Sequence, residues 1–197
     1  VDCLDTVRLL KANGIGVYFE KENINTLTES SEFLITLFSG FAQAESESLS
    51  KNVAWGKQKS AEAAKVTFQY KKMLGYRKGA DGQPEIDPEQ ANTVRRIYDH
   101  FLAGNSLQQI ANGLTADGIP TPMGRTVWQA SVVQSILSNE KYKGDALLGK
   151  TYVEDCISKK VIQNNGQLPK YLVQDHHEGI VSRDVFYAAQ LEIARRR

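Results

Sequence analysis

The chain is predicted to be mainly α-helical with small β elements, an α+β protein, and three observations carry that expectation. Residues 29–65 form one proline-free and nearly continuous helical pattern. Three more helical patterns lie between residues 87 and 138, the first two opening on recognisable caps, and every strand-like run is short. Composition agrees with a globular protein, at 41% hydrophobic and 24% charged residues. The longest apolar stretch, Phe33 to Ala44, is broken by Thr36, Ser39, Gly40 and Gln43 and is too short and polar to cross a bilayer. The acidic opening Val1-Asp2-Cys3-Leu4-Asp5 is not a secretory signal. Cys3 and Cys156 match no zinc or CxxC spacing, which suits a reducing, cytoplasmic setting.

In order along the chain, Leu4, Val7, Leu10 and the stem of Lys11 recur at helical spacing, and Asn13-Gly14 ends that helix. Ile15 to Phe19 then reads as a short buried strand, half of an α/β unit whose other strands are missing. The long pattern that follows would span about 55 Å at roughly 1.5 Å per residue, more than a small domain, so part of it must leave the core. Leu34, Leu37, Phe38, Phe41 and Ala44 form a dense apolar stripe in its first half. The second half offers Leu49, Val53 and Trp55 among Lys51, Lys57, Lys59 and Lys65. A helix that pairs subunits at its start and follows a phosphate backbone at its end fits this gradient, with a plain coiled coil as the alternative.

Asp81-Gly82 between short runs predicts a hairpin. Asp87-Pro88-Glu89-Gln90 is a helix start, with an N-cap acid, proline at the first helical position and glutamine at the third. Val94, Ile97, Tyr98, Phe101 and Leu102 form that helix's apolar face, and Gly104 ends it. Ser106 caps a second helix carrying Leu107, Ile110, Ala111 and Leu114, closed by Asp117-Gly118. After a loop with Pro120, Pro122, Gly124 and Arg125, a third helix over about 129–138 buries Val133, Ile136 and Leu137, with Trp128 expected in the core. This arrangement suits a helix-turn-helix, although the loop is longer than its usual tight turn. Strand-like runs follow at Ala146-Leu147-Leu148, Val161-Ile162 and Tyr171-Leu172-Val173, and Ser182 caps a final helix with Val185, Phe186, Ala189 and Leu191.

Catalytic constellations are scarce. His176-His177-Glu178 places its side chains in diverging directions and reads as a polar loop rather than a metal site, and no phosphate-binding glycine loop or GxSxG elbow is present. Glu45 and Glu47 sit two apart on a helix and diverge. A net charge of +1 does not itself indicate nucleic acid. Residues 1–65 carry 7 Lys/Arg against 9 Asp/Glu and the remainder 17 against 14, a slight basic shift.

Several segments together carry a family resemblance. Gly14-Ile15-Gly16-Val17-Tyr18-Phe19-Glu20-Lys21-Glu22-Asn23-Ile24-Asn25-Thr26, followed by Phe41-Ala42-Gln43-Ala44-Glu45-Ser46, resembles the end of a resolvase/invertase catalytic domain and its long dimerisation helix. Tyr70-Lys71-Lys72-Met73-Leu74-Gly75-Tyr76 resembles the entry to the "recombinase" domain of large serine recombinases. So do Gly118-Ile119-Pro120-Thr121-Pro122, Trp128 and the run Ile136-Leu137-Ser138-Asn139-Glu140-Lys141-Tyr142-Lys143-Gly144-Asp145. The resemblance implies residues 1–28 as a remnant of the catalytic domain, 29–65 as dimerisation helix and 66–197 as DNA-binding domain. It also implies a parent enzyme that cuts and rejoins DNA through a phosphoserine link, without metal or nucleotide cofactor. Partners would be double-stranded DNA and a second subunit, with a tetramer in the synaptic complex and no membrane. The nucleophilic serine would lie before Val1, so no catalytic residue is expected here. Val1 and the abrupt Arg195-Arg196-Arg197 end are read as those of a fragment. This chain has Ser46 and Asn52 where small resolvases carry arginines.

The expected DNA contacts follow. Ser131, Gln134, Ser135 and Ser138 form the outward face of the third helix, Gln134 being suited to an adenine edge. Arg125 and Thr126 lie just before it. Lys57, Lys59, Lys65, Lys71, Lys72, Arg77, Lys141 and Lys143 are expected phosphate contacts, setting position rather than sequence. A helix-turn-helix transcriptional regulator without recombinase activity is the alternative, and a coiled-coil adaptor is a third possibility.

Overall fold

The computed structural model describes residues 3–21, 24–27, 31–155 and 158–196. Glu29, Cys156, Arg197 and the side chains of Leu4, Leu34 and Phe38, all used above, lie outside the described residues. The chain divides into two compact units, Val1–Lys57 with Tyr152–Ile162, and Gln58–Thr151 with Gln163–Arg197.

In the first unit, α1 (Cys3–Ala12) ends where the sequence places its stop, with Gly14 at φ +70. The strand expected over residues 15–19 shrinks to β1 (Tyr18–Phe19), paired antiparallel with β2 (Ile24–Asn25). Nor is it buried: Ile15 and Tyr18 are each more than half exposed. A two-residue pair has no sheet to cover it, so the apolar run lies open. The long helix α2 (Ser31–Glu62) closes in a Schellman turn, with Lys65 N–H donating to Ser60 O (2.9 Å), Ala64 N–H to Ala61 O (3.0 Å), and Ala64 itself left-handed at φ +54. Several of its described apolar residues are uncovered, with Phe41 62%, Leu49 58%, Val53 57% and Trp55 64% exposed.

The second unit holds the main core. The hairpin β3 (Tyr76–Lys78) and β4 (Pro84–Ile86) turns at Asp81-Gly82 and places Arg77 opposite Glu85. Helix α3 (Pro88–Leu102) starts on the Asp87 carboxylate, which accepts from the N–H groups of Glu89 and Gln90. The Gln90 side chain does not close a capping box. It accepts from Gly75 N–H (3.0 Å) and so ties the helix start to the strand entry. Helix α4 (Leu107–Ala116) has a complete capping box between Ser106 and Gln109. Helix α5 (Ala130–Leu137) lies against α4 and α3 through Val133, Ile136 and Leu137, and α6 (Arg183–Arg195) packs on α3 and α5. Ala91, Val94, Ile97, Tyr98, Phe101, Leu114, Trp128 and Phe186 complete this single core.

Between α5 and α6 come β5 (Ala146–Leu148), β6 (Thr151–Val153), β7 (Val161–Gln163) and β8 (Tyr171–Val173). They pair as nested hairpins, β6 with β7 inside β5 with β8. Buried Asn164 organises the nest, donating to Gly149 O and Leu168 O and accepting from Gly166 N–H and Leu168 N–H. Its amide is fully satisfied, as a buried polar group requires.

Candidate nucleic-acid interface

The residues 117–129 that join α4 to α5 form a fixed surface rather than a slack loop. Buried Thr121 donates its N–H to Arg125 O (2.8 Å) and accepts Arg125 N–H on its hydroxyl (2.9 Å), while Gly124 N–H donates back to Thr121 O (2.8 Å). Trp128 is in the core, as expected. Its indole N–H donates to Ile119 O (2.8 Å) and its backbone N–H to the Thr115 hydroxyl (2.9 Å). This loop and the start of α5 border a groove of about 630 Å³.

Five of the expected contacts converge there. Lys72, Arg125, Thr126, Ser131 and Ser135 line the groove with Met123, Val127, Gln129 and Asn139. Gln134 on α5 and Ser138 just after its end are exposed but do not line it. Lys57, Lys65 and Lys71 are exposed and also outside it, Lys57 in the first unit. Lys59 pairs with Glu62 (2.7 Å) and Arg77 with Glu85 (2.8 Å), both at exposed positions, so each must exchange a carboxylate partner to meet a phosphate.

Two expectations are corrected. Lys143 is not a surface cation: its side chain is 6% exposed and its ammonium contacts fully buried Asp145 (2.6 Å) and the Tyr187 hydroxyl (2.8 Å). Burial alone would lower the Lys143 pKa, but Asp145 and Tyr187 outweigh it and hold the lysine above its ordinary value. Burial likewise pushes the Asp145 carboxyl up, but Lys143, the Asp175 N–H and Arg183 together bring it below the usual range. Lys141 turns inward as well, donating to Thr67 O (3.2 Å) with its ammonium 4.2 Å from the Phe68 ring centroid. Burial lowers its pKa. Both lysines follow buried Tyr142 or precede it in the turn over residues 140–143, which the fold places against α6 and residues 176–181.

The histidine pair is part of the same packing. His177 donates Nε2–H to Lys141 O (2.7 Å), leaving Nδ1 to face His176 Nδ1 (3.3 Å), and stands edge-on to Phe68 with ring centroids 4.8 Å apart. Burial lowers the His177 pKa to about 4 and the His176 pKa in the same direction. No group of three or more His, Cys, Asp or Glu residues suited to a metal is found among the described residues. No helix among them is long and apolar enough to cross a membrane.

The groove residues that sequence reasoning missed are Met123, Val127, Gln129 and Asn139. The available signal was the two apolar residues in a proline- and glycine-containing loop, with no periodic partner to bury them.

Two families match successive parts of the chain. The Recombinase family matches residues 88–196, more than half of the chain, and the family described as "Resolvase, N terminal domain" matches residues 1–66. A protein of Bacillus subtilis (strain 168) assigned as a DNA recombinase is 38% identical over 66 residues, which cover 31% of this chain and 13% of that protein. A structure from work on the sequence requirements of the Listeria innocua prophage attP site is similar at a TM-score of 0.50 and 25% identity, over 73% of this chain and 52% of that one. A crystal structure of an LSR–DNA complex is similar at a TM-score of 0.49 and 23% identity, over 73% of this chain and 38% of that one. The chain thus spans about half or less of each of these proteins.

Proposed function

The chain belongs to the recombinase family, and from that premise we propose that it is the DNA-recognising and subunit-pairing region of a site-specific serine recombinase. The observation that carries the proposal is the convergence of Lys72, Arg125, Thr126, Ser131 and Ser135 on one groove at the start of α5, inside or beside the stretch that matches the family. Lys72 and Arg125 supply cations for phosphate oxygens. The hydroxyls of Thr126, Ser131 and Ser135 supply short donors and acceptors. Gln134, on the same helix, has an amide of the size that bonds an adenine edge bidentately. The second helix of a helix-turn-helix presents its first residues to the base edges, and α4 and α5 occupy those two roles.

Subunit pairing rests on α2. Phe41, Leu49, Val53 and Trp55 are more than half exposed in the isolated chain, and a second copy of the helix would cover them. The roles proposed for these residues are recognition and pairing, and the chain alone is expected to leave a cognate duplex uncut.

Binding to duplex DNA across a salt series tests the recognition proposal. Lys72→Ala is expected to weaken all duplexes alike and to reduce the slope of log K against log salt by about one unit. Gln134→Ala is expected to relax preference at one base pair. Equal losses on selected and random duplexes for both variants would reject this division of roles, and no duplex binding at low salt would reject the function.

A further inference from the structure

The loop between α4 and α5 leaves in water two apolar side chains for which the fold has no evident use. Met123 is 60% exposed and Val127 62%, and both line the groove. Their exposure is not slack. The Thr121–Arg125 turn closes on one side of Val127, and on the other Trp128 is held by Thr115 and Ile119. Valine is β-branched and stiff at χ1, so its two methyl groups are presented in a nearly fixed direction. They are presented immediately ahead of the first turn of α5, which begins at Ala130.

The company Val127 keeps narrows what it meets. Cations (Lys72, Arg125), hydroxyls (Thr126, Ser131, Ser135) and an amide (Gln129) share the groove with it. The core of a protein interface is depleted in such charges and enriched in exposed aromatic anchors, whereas the one aromatic residue lining this groove, Tyr142, is itself buried. The major-groove edge of a duplex offers phosphate oxygens, hydrogen-bonding base edges and one kind of apolar group, the thymine C5-methyl. The groove carries a counterpart for each.

We infer that Val127 reads the C5-methyl group of a thymine in the major groove of the target duplex. The inference deepens the DNA reading above and rests on it. Val127 makes van der Waals contact with the methyl, while Arg125 and Lys72 hold the flanking phosphates and set the register.

The test uses the 197-residue chain and a library of random-sequence duplexes, from which the bound fraction is recovered and sequenced. In the best-enriched duplex each thymine is then replaced in turn by deoxyuridine, which removes only the methyl group. At one thymine per binding site the replacement should weaken wild-type binding about fourfold, the size of one buried methyl contact. Val127→Ser should bind the thymine and uracil duplexes equally, and its unfolding midpoint should stay at the wild-type value because the side chain is exposed. Lys72→Ala should bind more weakly overall yet keep the fourfold methyl sensitivity. Indifference of the wild type to every uracil replacement would overturn the role of Val127, as would an unchanged fourfold sensitivity in Val127→Ser. A library with no enriched duplex would remove the DNA reading itself, so the two failures are distinguishable.

Discussion

Removing the Asp145 carboxylate tests the corrected role of Lys143 directly. Asp145 is fully buried and accepts from Lys143 Nζ (2.6 Å), from both terminal nitrogens of Arg183 (2.7 and 3.1 Å) and from Asp175 N–H (3.1 Å). In Asp145→Ala, Arg183 keeps its second partner Asp175 (2.7 Å), but the Lys143 ammonium, 6% exposed, keeps only the Tyr187 hydroxyl and the faces of the Tyr187 and Phe186 rings, none of them an anion. Breaking a buried pair on one side costs about 3–5 kcal/mol because a charge is left uncompensated. The freed Asp175 N–H adds about 1 kcal/mol where water cannot reach it. We therefore expect a loss of about 4 kcal/mol in urea unfolding at pH 7 with an unchanged m-value. Lys143→Met should cost about 1–2 kcal/mol, since Arg183 still neutralises the carboxylate. The pair Lys143→Met with Asp145→Ala should cost about 3–4 kcal/mol, less than the sum of the two single changes by a coupling of about 2 kcal/mol. If Asp145→Ala abolishes folding, Asp145→Asn keeps the shape and carries the same comparison. DNA binding supplies the opposing readout: Lys143→Met should leave the salt slope unchanged. A cost below about 1 kcal/mol for Asp145→Ala, or a slope reduced by about one unit in Lys143→Met, would refute the reasoning and return Lys143 to the phosphate contacts.

The remaining predictions use other parts of the second unit and the long helix. His177 takes up its proton near pH 6.5 when unfolded but only near pH 4 when folded. The folded state is therefore fully favoured above about pH 6.5 and loses stability as pH falls from there to about 4, by at most about 3 kcal/mol and nearer 2 after allowing for partial solvent access. His177→Gln should flatten that part of the stability–pH curve, and an unchanged curve would assign the acid loss elsewhere. At Gly144 (φ +93) an added Cβ would lie 2.6 Å from the His177 carbonyl oxygen, in backbone that is itself hydrogen-bonded, so Gly144→Ala should lower stability by at least about 3 kcal/mol in urea unfolding. Phe41→Glu with Trp55→Glu should reduce self-association in sedimentation while leaving the unfolding of the second unit unchanged, because both side chains are over 60% exposed in the single chain.

Legibility from sequence tracked the range of the interaction involved. The caps at Asp87, Ser106 and Ser182 were readable because an N-cap oxygen and its N–H partners lie within three residues of one another. The apolar faces of α3, α4 and α5 were readable because burial repeats with the helix period. Gln90 marks where this stops: its position predicts a local cap, but its amide reaches a glycine fifteen residues back, a partner that exists only once β3 lies beside α3. The strand over residues 15–19 was overestimated for a related reason, since apolar alternation signals a strand only where a sheet covers it, and β1 has a single two-residue neighbour. Strand β6 was missed because Thr151-Tyr152-Val153 is set by its pairing with β7, not by a run of its own.

The candidate site follows the same logic, and its lysines show the mechanism most clearly. A lysine declares its charge in the sequence but not the direction of its ammonium. Lys72 and Lys143 look alike as basic residues in short runs of lysine and tyrosine, yet one borders an open groove and the other is held in the interior. What separates them is α6, forty residues further along, which brings Arg183 to Asp145 and Tyr187 to Lys143 and makes a closed ion network around positions that are only two apart in sequence. The converse holds for Val127, where an apolar residue in a polar loop is left outside because Trp128 beside it has already taken the place in the core. Charge alone therefore overstates the proposed DNA-binding surface by counting structural lysines and, on the inference drawn for Val127, understates it by passing over an exposed valine. A surface that reads bases is assembled from what the core did not use, and only the packing shows which residues those are.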